Sequence, residues 1–277
     1  MTPDSFNFLA GLVRSRSGIV LTADKGYMLE TRLGGLLKRE ALASLDALAQ
    51  KLRGPGTDAL AREVVEALTT NESSFFRDGK PFEHLKRLLP ALAAARPPGT
   101  PIRVWSAACS SGQEAYSVAM VAHELGAALG GRRVEILGTD ISREMLDRAR
   151  EGLYTQFEVQ RGLPVQLMVK HFKPEAGRWR ISPELRGMAR WQETNLLGDI
   201  RGLGRFDVIF CRNVLIYFDA PTKGRVLTAL AGQLAPDGAL YLGGAETVLG
   251  LTDRLVATPG ERAVYQAAGA KVAARVG

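Results

Sequence analysis

A run of small residues, Ala107-Ala108-Cys109-Ser110-Ser111-Gly112, separates a β-rich stretch (PIRVWSA, 101–107) from Gln113-Glu114. Small side chains let the backbone approach a ligand, and a helix starting at Gln113 leaves N–H groups free in its first turn. A phosphate loop would carry Lys or Arg and a fuller glycine pattern, and neither is present. Glu114 stands there instead, and a carboxylate repels a pyrophosphate but pairs with an ammonium. The second group is Asp140, which follows another β-rich stretch (RVEILGT, 133–139) 28 residues beyond Gly112. An acidic residue at such a strand end accepts hydrogen bonds from both hydroxyls of a ribose. Each carboxylate also has a plainer reading: Asp140 as a cap for the helix after it, and Glu114 as a solvated first-turn carboxylate favoured by the helix dipole.

These groups meet only if the surrounding elements bring them to one edge. From residue 101, apolar runs alternate with helical segments: a helix over 113–129, a helix capped by Ser142, a strand at 206–211 (FDVIFC), a helix over 220–234 closed by Pro236-Asp237-Gly238, and a strand at 239–243. That alternation predicts an α/β fold, a parallel sheet with helices on both faces that binds ligands beyond the carboxyl ends of its strands. Residues 179–192 (WRISPELRGMARWQ) break the pattern with strand-like pieces about a turn and no helix between them. They read as a small antiparallel insert whose second arm can join the sheet. Residues 255–258 and 263–266 flank Pro259-Gly260 as a terminal hairpin. The first 80 residues read as helices. One covers 23–40, with Tyr27, Leu29, Leu33, Leu36 and Leu37 on its apolar face and Lys25, Arg32, Lys38 and Arg39 on the other; further helices cover 44–52 and 58–68. Glu114 and Asp140 then end neighbouring strands. Together they suit a ligand with a ribose and a positive amino group but no phosphate, which describes S-adenosylmethionine better than NAD or ATP.

Composition excludes other classes. With 277 residues, 46% hydrophobic and 23% charged, the chain is an ordinary globular protein with room for one large domain or a large and a small one. Its longest stretch without Asp, Glu, Lys, Arg or His is 11 residues, 226–236, against the about 20 apolar residues of a membrane span. The start, MTPDSFNFLA, has no basic segment leading into an apolar one, so the chain reads as soluble and cytoplasmic. Cys109 and Cys211 cannot make a disulfide framework and read as buried filling at strand ends. His84, His123 and His171 lie 39 and 48 residues apart without zinc-site spacing, so no metal is expected. The net charge of +7 suits an anionic partner without choosing among nucleic acid, membrane surface and acidic protein face.

Five segments carry a family resemblance in a fixed order: TTNESSFFR (69–77), VWSAACSSGQEAYSVAM (104–120), GTDIS (138–142), Asn195-Leu196-Leu197, and FCRNVLIYF (210–218). Together they resemble the chemotaxis receptor methyltransferases, the CheR family, over nearly the whole chain. The resemblance implies an all-α N-terminal domain over 1–75 for receptor recognition. A Rossmann-like class I methyltransferase domain follows over 76–277, with a small antiparallel β-subdomain inserted at about 165–193. It implies S-adenosylmethionine as methyl donor, S-adenosylhomocysteine as product, and receptor glutamates as acceptors, converted to 5-O-methyl esters. Asn71, Ser73 and Arg77 match the family's linker contacts to the cofactor, with Ser73 in place of the more usual Thr. Glu114 matches the carboxylate near the methionine portion and Asp140 the ribose ligand. Asn195 and Leu196 are implied beside the adenine, with Arg212 and Asn213 at the end of a strand. Arg77 and Tyr217 match positions facing the reacting groups. Gln113 departs from a usual Glu, while Glu114 beside it keeps the charge.

No catalytic base stands out, and this reaction needs none: a glutamate with a pKa near about 4.3 is already ionised at neutral pH. Carboxylate and sulfonium cancel each other's charge on the way to the transition state, which a site drier than bulk water favours. Phe75 and Phe76 read as core packing. Lys25, Arg32, Lys38 and Arg39 offer a basic face to the acidic cytoplasmic helices expected of a receptor. Some relatives grip a pentapeptide tethered to the receptor with a longer, glycine-rich turn before the second strand of the subdomain. The corresponding stretch, 172–178, is short, which points to a tether-independent enzyme. The alternatives are a silent S-adenosylmethionine-binding regulatory module and a nucleic-acid methyltransferase; the second is disfavoured by an aromatic content of only 7%.

Overall fold

The computed structural model describes residues 1–269. The chain divides into two compact units, one made of Met1–Thr70 with Tyr217–Lys223, the other of Asn71–Ile216 with the chain from Gly224.

The first unit holds α1 (Pro3–Ser17), α2 (Gly26–Arg39), α3 (Leu45–Leu52) and α4 (Asp58–Leu68). Thr2 and Ser44 start α1 and α3 by accepting from the Ser5 and Ala47 N–H groups, and Gly18 ends α1 in the left-handed region at φ 80°. Leu29, Leu33 and Leu36 of α2 are buried, as are Leu9, Val13, Leu48 and Val64. Tyr27, expected on that apolar face, is 68% exposed; two residues before Leu29 place it about 200° around the helix. Two cations of the expected basic face are committed inside the unit. Arg32 Nη1 donates to the Leu68 and Thr69 carbonyls at 3.0 and 2.7 Å and so closes the C-terminus of α4. Arg39 pairs with Glu63 and Glu40. The segment from Tyr217 belongs here as well: the Tyr217 carbonyl accepts from Val20 N–H at 2.9 Å, and Asp219 meets Arg14 at 2.5 Å.

The second unit starts its regular structure with α5 (Lys80–Ala95), β1 (Ile102–Ala107), α6 (Gln113–Leu125), β2 (Val134–Asp140) and α7 (Arg143–Glu151). A subdomain follows, with β3 (Leu153–Tyr154), α8 (Gln156–Gln160), α9 (Val165–His171), β4 (Phe172–Glu175), β5 (Arg178–Ile181) and α10 (Pro183–Gly187). The chain then runs through β6 (Ala189–Glu193), β7 (Phe206–Cys211), α11 (Ala220–Gln233), β8 (Leu234–Leu242), β9 (Leu255–Ala257) and β10 (Val264–Ala267). The main sheet has the order β6-β2-β1-β7-β8-β10-β9, parallel from β6 to β8 and antiparallel beyond; β3-β5-β4 form a separate antiparallel sheet. All six residues of β7 are buried, as a central parallel strand covered on both faces requires. From β1 the chain steps outward to β2 and β6, then returns to the other side at β7. Strand order therefore reverses between β1 and β7, and the crevice of such a sheet opens at their carboxyl ends.

The α/β expectation holds, with local corrections. Residues 179–192 contain a helical turn, α10, capped by Ser182, where none was expected; β6 beyond it joins the main sheet beside β2. Residues 172–178 are a hairpin rather than a turn. Ala176 and Gly177 sit left-handed at φ 47° and 76° between β4 and β5, a two-residue connection whose twist matches the strands. The strand expected at 239–243 starts at Leu234, because an irregularity in its pairing with β7 absorbs Pro236-Asp237-Gly238. The terminal hairpin forms as β9 and β10. Among the described residues no helix is long and apolar enough to cross a membrane.

Gly138 of β2 lies under the indole of Trp191 in β6, where an added Cβ would come within 2.3 Å of the ring. Gly138→Ala is expected to cost about 1–3 kcal/mol in urea denaturation. A Gly138→Ala/Trp191→Leu double variant should lose less than the two singles added together; strict additivity would show that the ring yields freely.

Candidate active site

The crevice is built where β1, β2 and β7 end. After β1 the backbone turns through Ala108 (φ 57°), Ser110 (φ 50°) and Gly112 (φ 91°), all left-handed. Gly112 is required twice over, by its φ and because a Cβ there would lie 2.8 Å from Trp191 and 3.0 Å from Ala149. The turn is pinned to β2. Cys109 N–H donates to the Thr139 carbonyl at 2.9 Å, and Ser110 N–H donates to Asp140 Oδ2 at 2.8 Å. The other Asp140 oxygen accepts from Ser142 N–H at 3.0 Å, while Ser142 caps α7 with its own hydroxyl. Asp140 is buried, and desolvation raises its carboxyl above the usual range against the pull of these N–H donors. Each oxygen keeps a lone pair for a hydroxyl, so the loop-fixing and ligand-accepting readings of Asp140 are compatible.

Glu114, in the first turn of α6, has a side chain only 12% exposed. Oε1 accepts from Ser106 Oγ at 2.8 Å, and Oε2 meets Arg212 Nη1 at 3.1 Å. Burial raises the Glu114 carboxyl, opposed by the charge and hydrogen bond of Arg212 and by the charge of Arg77. Arg212, just past β7 and 2% exposed, donates through Nη2 to Asp78 Oδ2 at 2.6 Å and to the Arg77 carbonyl at 2.9 Å. One guanidinium thus joins β7, α6 and the segment before α5. That segment also reaches the β1 loop, because Ser110 Oγ donates to the Asn71 carbonyl at 3.0 Å. Arg77 Nη1 donates to the Glu72 carbonyl at 3.2 Å. From β6, Thr194 N–H donates to the Asp140 carbonyl at 2.9 Å, which brings Asn195 and the buried Leu196 to the same end of the sheet. Asn195 folds onto its own loop, its Oδ1 accepting from Leu197 N–H at 3.0 Å.

Three contributors escaped the sequence reading: Ser106, Asp78 and Glu246. Glu246 holds the loops after β7 and β8 together, accepting from the N–H groups of Asn213 (2.9 Å), Val214 (3.0 Å), Ile216 (3.3 Å) and Gly243 (2.6 Å). Its signal was available: a carboxylate among small residues (GGAE, 243–246) after a strand repeats the pattern around Glu114. Asn213 sits left-handed at φ 58°. Its Oδ1 is buried without a partner, as is Arg212 Nε. Phe75 is core, edge-on to Tyr154 and Phe172. Cys109 and Cys211 are buried free thiols that desolvation pushes up, inert by that measure. Tyr217, Lys25, Arg32, Lys38 and Arg39 belong to the first unit.

Family models meet this geometry directly. Residues 71–264 match the SAM binding domain of CheR methyltransferases, and residues 4–69 match their all-alpha domain. The chain belongs to the CheR methyltransferase family. It is 40% identical over 255 residues to chemotaxis protein methyltransferase 1 of Pseudomonas aeruginosa, covering 90% of this chain and 92% of that one. It is 41% identical over 247 residues to chemotaxis protein methyltransferase 1 of Vibrio cholerae, covering 87% and 88%. With chemotaxis protein methyltransferase Cher2 of Pseudomonas putida it shares 38% over 257 residues, 90% and 93% of the two chains. The protein is a methyltransferase of chemotaxis that uses S-adenosylmethionine, and the residues at the crevice fit that molecule: two carboxylates for its ammonium and hydroxyls, and no cluster of cations for a phosphate.

Because its pKa is raised on folding, Glu114 holds its proton more tightly in the folded state than in the unfolded one. Its contribution is complete below the unfolded value and fades as pH rises through the folded one. The stability of the wild type minus that of Glu114→Gln should therefore fall as pH rises above the ordinary glutamate range in urea denaturation; a flat or rising difference would mean that Arg212 outweighs burial.

Proposed function

We propose that this methyltransferase esterifies glutamate side chains on the cytoplasmic helices of chemoreceptors, giving glutamate 5-O-methyl esters and S-adenosylhomocysteine. The observation that carries the reading is the commitment of both carboxylates at the crevice. Glu114 is taken by Ser106 and Arg212, Asp140 by two backbone N–H groups, and neither is placed as a proton acceptor. An acceptor that arrives already ionised matches such a site, whereas a hydroxyl or amine acceptor calls for a base. S-adenosylmethionine, when bound, supplies a sulfonium methyl whose C–S bond breaks, with its electron pair going to sulfur, as a carboxylate oxygen forms the new C–O bond.

In this reading Asp140 accepts from the ribose hydroxyls, Glu114 from the ammonium, and Asn195 and Leu196 lie along the adenine. Asn71 and Ser73 complete the cofactor side, and Arg212 and Asn213 hold Glu114 and the β7 loop in place. Arg77 orients the incoming carboxylate. Arg77 retains further N–H donors after its bond to the Glu72 carbonyl, which suits it to a carboxylate. The two-residue connection between β4 and β5 supports independence from a receptor tether. Of the basic residues, Lys25 and Lys38 suit an acidic receptor surface better than Arg32, which is spent on α4.

Incubation with methyl-labelled S-adenosylmethionine and receptor-bearing membranes should give label on a receptor band that leaves as methanol in mild alkali. Stable label on nucleic acid, or cofactor binding with no transfer to any receptor, would overturn the reading. Arg77→Ala is expected to lower kcat by about 10²-fold or more while changing cofactor Kd by less than about tenfold. Equal losses would make Arg77 a binding residue only. Deleting the last five residues of the receptor should leave the rate within about twofold.

A separate comparison concerns the first unit. Lys38→Glu should weaken receptor methylation at low ionic strength and much less at about 0.5 M salt, with cofactor affinity unchanged. Arg32→Ala should instead lower thermal stability, by about 1 kcal/mol for the lost closure of α4. If both variants affected only stability, the basic face would have no part in receptor binding.

A further inference from the structure

Two histidines and a glutamate that are distant in sequence converge away from the crevice. His123 and Glu124 end α6, and His171 ends α9; one ligand atom from each lies within 4.8 Å of the others. His171 Nε2 is 2.9 Å from Glu124 Oε1, and His123 Nδ1 is 3.7 Å from the same oxygen. The imidazoles stand edge to face, 5.0 Å apart at 87°. Their exposure is graded: the His171 side chain is 3% exposed, His123 37% and Glu124 35%, so the cluster has a fixed floor and an open mouth.

We infer that His123, Glu124 and His171 form a zinc-binding site. Two imidazole nitrogens and a carboxylate oxygen are a zinc donor set, and tetrahedral bonds of about 2.0–2.1 Å place ligand atoms about 3.3–3.4 Å apart. The two separations to Glu124 bracket that value, and the exposed His123 ring has room to turn toward the ion. Water completes the shell; Glu184 Oε2, 3.7 Å from His123 Nε2, is placed to accept from the ring nitrogen that does not bind the ion. Glu124 Oε1 already faces His171 Nε2; with the ring proton carried on Nδ1, the Nε2 lone pair and the carboxylate oxygen meet on a common cation. Lys170, whose Nζ lies 2.8 Å from Glu124 Oε1 and whose side chain is 53% exposed, swings to water as the ion replaces its charge. The ion then clips the end of α6 to the junction of α9 and β4, and so ties the helix that carries Glu114 to the small sheet.

The test uses tag-free, full-length protein and Zn²⁺ in competition with a chromophoric indicator. One zinc per chain is expected, with a Kd of about 1–10 μM, unaffected by excess Mg²⁺, together with a rise in Tm. His123→Ala and Glu124→Gln, both at exposed side chains, should fold normally by circular dichroism and bind more than about tenfold more weakly. His84→Gln should bind as the wild type does. Absence of saturable binding, or zinc affinity that survives His123→Ala, overturns the site.

Discussion

A guanidinium buried to 2% exposure must be paired with charge wherever it sits, and in this unit that requirement fixes the active-site crevice. Arg212 meets Glu114 on α6 and Asp78 in the segment before α5, and it also takes the Arg77 carbonyl. Three stretches far apart in sequence are thereby held at one point by a planar group whose donors are fixed in direction. Removing Arg212 would leave Glu114 an uncompensated buried charge, at about 3–5 kcal/mol. The position of Glu114 is thus set from two sides, by Arg212 and by the Ser106 hydroxyl of β1. A ligand ammonium would meet a carboxylate that is already oriented.

The same logic recurs at the other strand ends with backbone donors in place of a cation. Asp140 ties the β1 loop to the start of α7, and Glu246 ties the loop after β7 to that after β8. These loops and the segment before α5 contain left-handed residues other than glycine (Ala108, Ser110 and Asn213 in the loops, Phe76 and Asp78 in the segment), each at a conformational cost of order 1 kcal/mol. Backbone N–H groups donating to buried carboxylates offset that cost and hold the loops in a shape that small residues alone would not keep. The raised pKa values of Glu114 and Asp140 follow from the same burial: stability is spent to keep charge acceptors dry and in place.

The sequence made the parts of this site that follow local rules legible. Strand–small loop–helix spacing placed Glu114 and Asp140 at neighbouring strand ends, and the hydrophobic pattern of FDVIFC identified the central strand. What escaped was decided by tertiary pairing. Arg32 resembled a solvated face residue because nothing local reveals that the carbonyls ending α4 lie within its reach. α5 was hidden by Pro90 in its interior, and Tyr27 was assigned to the apolar face by spacing two residues out of phase. Pro236-Asp237-Gly238 looked like a stop signal; an irregular pairing with β7 let the strand run through it. His123 and His171 are 48 residues apart, and only the ends of α6 and α9 bring them together.

In the proposed reaction, the arrangement of charge also bears on how a carboxylate would be methylated without a base. A cation that orients an anionic nucleophile lowers its energy and, if it binds too tightly, its reactivity. Arg212 cannot exert that grip, because Glu114 and Asp78 already balance it and burial keeps it from an incoming side chain. Arg77 differs: it is only partly buried, and its bond at 3.2 Å goes to the Glu72 carbonyl, a neutral acceptor, so its charge remains available at the edge of the crevice. Partial exposure lets water screen that charge, so pairing with a carboxylate gives about 1 kcal/mol rather than the several it would give when buried. In the proposed reaction, a contact of that strength would align an oxygen toward a methyl group and still let it attack; the partly exposed arginine at the rim would take that part, while the charge of the buried one is balanced by its partners.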